Sequence, residues 1–275
     1  VFELRDIWPA SITAVGAMER NWVITTLEKL EMFLYHQADL VISVTHSFKS
    51  ELQDRGVSGD KIKVVLNGVD LKKYKPLKNK DQRFAKKYKL QGKFVAGYIG
   101  THGLAHALDT IIEAAELLKE EDSIRIVFTG GGADRSRLEE LVKKRDLSNI
   151  VMIPRQPKEQ MRNIWSLCDI SLVSLKDVPL FTTVIPSKIF ESMAMRLPII
   201  MSVPAGESTE IVRAENSGLI VPPENPIKLA EAILKIKNDN NLLSRLSDNS
   251  FLAAGKFNRQ HLAIKMLSHI EEKLN

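Results

Sequence analysis

The segment from Thr182 to Val212 holds residues suited to ligand binding, because a carboxylate closely follows a predicted helix start. Pro186 and Ser187 predict that start, with Ser187 as the N-cap residue. The first turn of a helix presents unpaired N–H groups and a partial positive charge, which suit a diphosphate. Glu191 lies about one turn further on, within reach of a sugar or ribose hydroxyl. The segment therefore predicts a site for a phosphorylated sugar or a nucleotide.

The residues around this site predict the elements that hold it. Apolar residues recur on one face of the predicted helix, at Ile189, Phe190, Met193 and Ala194. The helix ends at Leu197, because the residue before a proline avoids the α region. The apolar run Ile199 to Met201 is typical of a buried parallel strand, and the next helix is predicted to open at Glu210. In open α/β sheets, ligands bind in loops at the carboxyl ends of such strands.

This segment resembles the donor-binding motif of the family 4 (group 1) retaining glycosyltransferases, which have the GT-B fold. The matching positions stand in the family's order: Glu191 at the second glutamate of the motif, Ser192 to Ala194, Pro198 to Ile200, Gly206, and Glu210 to Val212. The resemblance implies that Glu191 binds the ribose of a nucleotide-sugar donor. The first glutamate of the motif, which contacts the transferred sugar, is replaced here by Thr183.

The run from Pro186 to Glu191 resembles a subgroup that builds bacterial surface polysaccharides, such as O-antigen, capsule and colanic acid, and that includes fucosamine-transferase-like members. In that subgroup a lysine stands in this loop. The resemblance implies that Lys188 offsets the charge of the donor diphosphate and stabilises it as it departs. Ser187 and Lys188 are therefore expected donor contacts, and Lys188 is an expected catalytic residue.

Two glycine-containing loops follow predicted strands. The strand Phe94 to Gly100 leads into Thr101, His102 and Gly103, and the strand Ile124 to Thr129 leads into Gly130, Gly131 and Gly132. Glycine lets the backbone approach a ligand closely, so Gly100, Gly130 and Gly131 are candidate donor contacts. The alternative for the second loop is a flexible turn.

The first of these loops departs from the family, which has a basic pair there to neutralise the diphosphate. Thr101 and His106 stand at those places. The resemblance to the subgroup implies that His102 and Gly103 supply contacts instead, although an ordinary loop histidine is the alternative. Arg155 follows another predicted strand, at a place where the family's backbone reads the nucleotide base.

Near the start of the chain, a strand from Val1 to Leu4 leads into Arg5 and Asp6. The surface-polysaccharide subgroup has a similar sequence facing the cleft between its domains. The resemblance implies that Asp6 lies on the acceptor side and takes part in catalysis. The alternative is a local ion pair between Arg5 and Asp6, with Trp8 packing beside it.

Composition limits the classes of protein that remain. The 275 residues carry a net charge of +5 without a compact basic block, which makes nucleic-acid binding a weak interpretation. The single cysteine, Cys168, excludes a disulfide framework and fits a reducing compartment. No apolar run reaches the roughly 18 residues of a membrane span, and no signal peptide is visible. Because the chain begins at Val1 without an initiating Met, we expect it to be N-terminally incomplete.

Alternating strands and helices predict an α/β protein with two Rossmann-like, doubly wound domains of the GT-B type, the first only partly present. Residues 1–76 are expected to form the end of the acceptor-side domain and residues 77–92 a linker. Residues 93–254 would form the donor domain, and residues 255–275 a helix that returns to the first domain. Lysines and arginines between Lys72 and Lys93 predict a solvated linker or, alternatively, contact with anionic phospholipid or a diphospho-lipid acceptor.

The resemblance implies a retaining transfer of a sugar from a nucleotide donor, expected to be UDP-linked, to a lipid-diphosphate-linked or polysaccharide acceptor. It implies no metal or other cofactor, and no nucleic-acid partner. The expected location is cytoplasmic, with peripheral contact to the inner face of the plasma membrane as a further expectation. Two alternatives stay open: a non-catalytic fragment that binds a nucleotide sugar, and a UDP-sugar epimerase on the same fold.

Overall fold

The computed structural model describes residues 1–14, 16 and 18–274. The first part of the chain forms a parallel three-stranded sheet in the order β1-β2-β3. Its strands are β1 (Phe2–Leu4), β2 (Val41–Ser43) and β3 (Ile62–Val64). Its helices are α1 (Ala10–Ala14), α2 (Trp22–Gln37) and α3 (His46–Asp54).

Side-chain caps set where the two longer helices of this sheet begin. The Asn21 side chain accepts hydrogen bonds from the N–H groups of Val23 and Ile24, so α2 begins directly after it, at Trp22. The Thr45 hydroxyl likewise accepts a bond from the Phe48 N–H at the start of α3.

The second sheet is parallel and six-stranded, in the order β6-β5-β4-β7-β8-β9. Its strands are β4 (Phe94–Ile99), β5 (Ile124–Gly130), β6 (Ile150–Pro154), β7 (Ile170–Ser174), β8 (Ile199–Ser202) and β9 (Gly218–Val221). Its helices are α4 (Gln82–Lys87), α5 (Leu108–Leu117), α6 (Arg135–Lys144), α7 (Met161–Trp165), α8 (Lys188–Ala194), α9 (Glu207–Ala214), α10 (Pro226–Asn238) and α11 (Asn240–Ala254). The strand order reverses between β4 and β7, and ligands of doubly wound sheets bind at such a switch point.

Both faces of the second sheet are covered, as the continuous apolar strands require. Ala96 and Tyr98 of β4 pack in one core cluster with α5 and α10, while Val95 and Ile99 pack in another with α4 and α7. The predicted mixed α/β architecture with parallel sheets is therefore confirmed.

The last helix, α12 (Arg259–Leu274), joins the two sheets. Its apolar side chains pack on the first sheet, where Leu262, Met266 and Ile270 contact Leu40, Ile42 and Val65. Just before it, the Phe257 carbonyl accepts a hydrogen bond of 2.9 Å from the Val69 N–H. The C-terminal segment is thus fixed to the turn that leaves the first sheet.

Candidate functional site

A cavity of about 530 Å³ opens beside the carboxyl ends of β4, β5 and β6. Its lining includes residues of both predicted glycine loops and of the segment after β6. The lining residues are Tyr74, Ile99, Gly100, Thr101, Thr129, Gly130, Gly131, Gly132, Arg155, Gln156, Lys158, Met161 and Glu191. A smaller cavity of about 220 Å³ adjoins it through Gly100, Thr101 and Glu191, and adds Ser187 and Lys188. Together they form one candidate site at the switch point of the sheet.

A larger cavity of about 730 Å³ lies on the first domain beside α2 and α3. Its most buried carboxylate, Glu31, already accepts hydrogen bonds of 2.6 Å from the Tyr35 hydroxyl and from Arg55. Because Tyr35 and Arg55 already satisfy this carboxylate, the cavity is a weaker candidate for a ligand site than the two adjoining cavities of the second domain.

Lys188 is a buried cation at the candidate site. Its Nζ lies 3.9 Å from the centre of the Tyr98 ring, and among the described residues it has no hydrogen-bond partner. Burial lowers the pKa of Lys188 to about 7, and the neighbouring Glu191 carboxylate opposes that shift. An anion bound in the cavity would supply the missing partner and restore the charged form.

Glu191 lies one turn further along α8 and is half-buried in both cavities. Burial raises the pKa of its carboxyl group, whereas Tyr74, Lys188, Arg259 and Lys73 lower it. A carboxylate held at a cavity wall by donors and cations on several sides suits recognition of hydroxyl groups.

The two glycine loops pack against each other at the cavity floor. A side chain at Gly130, whose φ is +147°, would collide with the Gly100 carbonyl. A Cβ at Gly100, whose φ is +155°, would lie 3.0 Å from the Lys188 Nζ. Both positions therefore require glycine, which leaves bare backbone facing the cavity.

His102 lies behind these loops, and it does not line either cavity. Its ring packs between Tyr98 and Phe128, with centroids 6.0 Å from each, while the His102 backbone N–H donates to the Gly131 carbonyl at 2.8 Å. Burial, followed by the charges of Arg135 and Lys188, lowers the pKa of His102 to about 4. The ring is thus neutral near pH 7 and supports the loops from behind.

The remaining predicted site residues lie at different places. Arg155 is exposed and lines the larger cavity of the site, whereas Gly103 lies outside both cavities and accepts a hydrogen bond of 3.0 Å from the His106 N–H. Ser187 lines the smaller cavity and is the N-cap residue of α8 as predicted, but its side chain makes no capping hydrogen bond. Its helical φ and ψ of −59° and −26° differ from the extended backbone of a capping residue.

Asp6 is not brought to this site. It is exposed and lines a separate cavity of about 170 Å³ on the first domain, together with Trp8 and Tyr35. The predicted ion pair between Arg5 and Asp6 is also not formed, because Arg5 instead contacts Glu3 at 2.9 Å and Asn67 at 2.7 Å.

Thr183, at the place of the family's first glutamate, is turned away from the site. Its hydroxyl donates to the Leu180 carbonyl at 2.7 Å. The chain therefore presents one carboxylate here, from Glu191, and the buried lysine beside it.

Sequence reasoning missed several residues of the cavity wall, among them Tyr74, Thr129, Gln156, Lys158 and Met161. Tyr74 comes from the connection between the two sheets, residues 65–93, which is called the linker below, and no sequence signal marked it. Thr129 lies near the end of β5 and the others follow β6, where position at the end of a buried strand was the only signal.

Comparison with known proteins places the chain in a family. Residues 79–252 match the model for Glycosyl transferases group 1, and residues 14–73 match the model for Glycosyltransferase Family 4. The first match covers more than half of the chain. The chain therefore belongs to the group 1 glycosyltransferases.

Individual relatives agree with this assignment. The probable glycosyltransferase WbjE of Pseudomonas aeruginosa is 25% identical over 242 residues, which are 86% of this chain and 59% of that protein. The amylovoran biosynthesis glycosyltransferase AmsK of Erwinia amylovora is 26% identical over 245 residues, 88% of this chain and 58% of that protein. The chain thus spans less than two thirds of the length of these curated relatives.

Among solved structures, Anabaena Alr3699/HepE in complex with UDP and glucose superposes with a TM-score of 0.81. The two proteins are 17% identical, and the match covers 98% of this chain and 70% of that one. This likeness shows that the fold is the GT-B fold expected from the sequence.

Proposed function

We propose that the chain carries the donor site of a glycosyltransferase that moves a sugar from a UDP-linked donor to a lipid-diphosphate-linked or polysaccharide acceptor, with retention of anomeric configuration. The observation that carries the proposal is the placement of buried, unpartnered Lys188 and half-buried Glu191 on one helix, beside a glycine-lined cavity at the sheet's switch point. A diphosphate would pair with the cation, and a ribose with the carboxylate.

In this proposal the two cavities divide the donor between them. The larger holds the nucleoside, with Glu191 accepting from the ribose hydroxyls and the Arg155 backbone reaching the base. The smaller holds the diphosphate against Lys188 and the bare backbone of Gly100. The name of the Anabaena structure, in complex with UDP and glucose, supports UDP as the nucleotide.

Transfer breaks the bond between the anomeric carbon and the diphosphate oxygen, and the acceptor hydroxyl bonds to the same carbon on the same face. The hydroxyl proton passes to the departing diphosphate. Lys188 stabilises the negative charge that grows on the diphosphate. Because this lysine supplies the neutralising charge, the proposal assigns no metal ion to the donor site, and a chelator is expected to leave the rate unchanged.

The acceptor side is proposed on the first domain, at the cavity lined by Asp6 and Trp8. The enzyme is proposed to act in the synthesis of bacterial surface polysaccharide, which the name of the Erwinia relative supports. Asp6 would accept a hydrogen bond from the acceptor hydroxyl and orient it for the transfer.

We further propose a cytoplasmic location with peripheral contact to the inner face of the membrane. The segment from Lys72 to Lys93 has ten basic residues and one acidic residue, a net charge of +9 against +5 for the whole chain. Within this segment Lys80 forms a salt bridge, Arg83 donates to the Gln160 side chain and Lys93 donates to the Asp122 carbonyl. The exposed lysines that stay available to anionic phospholipid are Lys72, Lys73, Lys75, Lys78, Lys86, Lys87 and Lys89. None of the described helices combines the length and apolar character needed to cross a membrane.

The test is release of UDP from UDP-sugars with and without a lipid-diphosphate-linked saccharide, followed by NMR of the new linkage. Acceptor-dependent release and a retained anomeric configuration are expected. Interconversion of UDP-sugars without an acceptor would favour an epimerase. Nucleotide binding without turnover on any acceptor would favour a non-catalytic donor-binding chain.

A further inference from the structure

Tyr74 stands where the linker meets the candidate donor site. It ends the turn that begins at Asp70, and its N–H donates to the Asp70 carbonyl at 2.9 Å. The Asp70 carboxylate accepts a hydrogen bond of 2.9 Å from the Lys72 N–H, which closes the turn. The linker backbone is therefore ordered up to the point where the tyrosine side chain leaves it.

The residues just before this turn are anchored to the C-terminal segment. The Arg259 N–H donates to the Val69 carbonyl at 3.0 Å, and its guanidinium donates to the Gly68 carbonyl at 3.0 Å. A side chain at Gly68 would collide with the Phe257 carbonyl, so the two segments lie in close contact. Tyr74 is thus held on a support shared by both domains.

The side chain of Tyr74 forms part of the wall of the larger cavity, and Glu191 forms another part. Its half-buried ring packs beside the apolar cluster of α8 and β8, and its hydroxyl adjoins the Glu191 carboxylate. Burial, and then the Glu191 carboxylate, raise the pKa of Tyr74, so the hydroxyl keeps its proton. A protonated hydroxyl beside a carboxylate can only be the donor of the pair.

We propose that Tyr74 is a positioning residue for the donor site: its hydroxyl donates a hydrogen bond to Glu191 and orients that carboxylate toward the ribose hydroxyls of the bound nucleotide. This inference rests on the proposed function, because it needs Glu191 to bind a ribose. It adds the linker to the donor site, since the orienting group comes from the segment between the two sheets.

The hydroxyl has a role that the ring alone does not fill. Four groups lower the pKa of the Glu191 carboxyl group: Tyr74 from the linker, Lys188 from its own helix, Arg259 from the start of α12, and Lys73 from the linker. The three cations act through their charge, whereas the hydroxyl would donate a directional hydrogen bond to one oxygen of the carboxylate. A phenylalanine would keep the apolar packing and remove only that hydrogen bond.

The experiment compares Tyr74→Phe with a matched control, Tyr88→Phe. Tyr88 is the other linker tyrosine; it stacks on Phe84 with ring centroids 6.2 Å apart and does not line the cavity. Calorimetric titration would use UDP and 2′,3′-dideoxy-UDP, the second of which lacks the ribose hydroxyls. For UDP we expect Tyr74→Phe to raise the Kd about tenfold. For dideoxy-UDP the two variants and the wild type should agree.

Two further readouts separate positioning from packing. Glu191→Gln and the double variant Tyr74→Phe/Glu191→Gln should bind UDP equally, because the hydroxyl acts only through the carboxylate. Since the hydroxyl favours ionised Glu191, the acid midpoint of UDP binding should move to higher pH in Tyr74→Phe.

The inference is overturned if Tyr74→Phe binds UDP like the wild type, if its effect adds to that of Glu191→Gln, or if it weakens dideoxy-UDP equally. The proposed function fails in a different way. In that case the wild type itself would bind no nucleotide, or Glu191→Gln would leave UDP affinity unchanged, and the inference would fall with it.

Discussion

The Glu207 carboxylate of the second domain accepts hydrogen bonds from the backbone N–H and the hydroxyl of Ser47 in the first, at 3.0 and 3.1 Å. It also accepts one from the His46 N–H at 3.1 Å. Glu207 begins α9 and so caps α3 from the other domain. The two domains are therefore in contact here through the starts of two helices. A carboxylate suits this place because helix N-termini carry partial positive charge.

Removing this contact should loosen the N-terminal end of α3. We expect Glu207→Ala to lower the free energy of unfolding by about 1–2 kcal/mol, the usual cost of losing a helix cap. Hydrogen exchange should rise at His46 and Ser47. The control is Glu210→Ala on the same helix, because exposed Glu210 pairs only with Arg213 among the described residues. Equal effects of the two substitutions, or unchanged exchange, would contradict the role given to Glu207.

Lys188 should determine how tightly the diphosphate binds. We expect Lys188→Gln to raise the Kd for UDP about tenfold to a hundredfold, because a charge-assisted contact is lost. Lys235→Gln removes an exposed lysine from α10 and should leave the affinity unchanged. Titration calorimetry measures both variants, and a Lys188→Gln protein that binds UDP like the wild type would remove this lysine from the site.

The pH dependence of UDP binding should report the same lysine. With its pKa lowered to about 7 by burial, Lys188 loses its proton as the pH rises above neutral, and UDP must then bind with proton uptake. We expect the affinity to fall above pH 7 in the wild type and to vary less in Lys188→Gln. Calorimetry at pH 8 in two buffers of different ionisation enthalpy measures the uptake, and none would contradict the assignment.

Stability without ligand should change in the opposite direction with pH. Between about pH 7 and 10.5 the unfolded chain keeps the Lys188 proton that the folded protein has lost. The unfolded state then binds more protons, so the contribution of this group to the free energy of unfolding rises with pH in that window. Urea unfolding of the wild type and Lys188→Gln at pH 7 and pH 9 isolates the contribution, and a parallel response of both proteins would exclude it.

Gly130 should tolerate no side chain. Its positive φ and the nearby Gly100 carbonyl together predict that Gly130→Ala lowers the free energy of unfolding by about 2 kcal/mol or more. Gly255→Ala is the control, because that residue has helical angles and open space around it, and should change stability by less than about 1 kcal/mol. Thermal unfolding compares them, and a neutral Gly130→Ala would show that the two loops do not pack as described.

Much of the fold was predictable because most elements are short, periodic and separated by clear breaks. The strands β4 and β5 each differ from their predicted bounds by one residue. The errors in helix bounds came from capping interactions and from helices that begin with polar residues. The helix at Glu207 begins three residues before the predicted Glu210, because the Thr209 hydroxyl accepts a hydrogen bond from the Gly206 N–H and thereby extends it.

The site was predictable only where one segment carries it. Lys188 and Glu191 lie on the same helix, so their spacing places them together. Tyr74 lies more than a hundred residues earlier, and only its packing against the apolar cluster of α8 brings it to the cavity that Glu191 lines. The burial of His102 was also beyond sequence reasoning, since the sequence pattern around a loop histidine is the same whether its ring faces the cavity or packs behind the loops.

The central claim is that the cavity beside Glu191 binds a uridine nucleotide, and the most direct measurement is titration with UDP, GDP and ADP of the wild type and Glu191→Ala. The account predicts selective binding of UDP by the wild type and much weaker binding of UDP by the variant, because the carboxylate that receives the ribose is gone. Binding of none of the three nucleotides, or equal UDP affinity in both proteins, would contradict it.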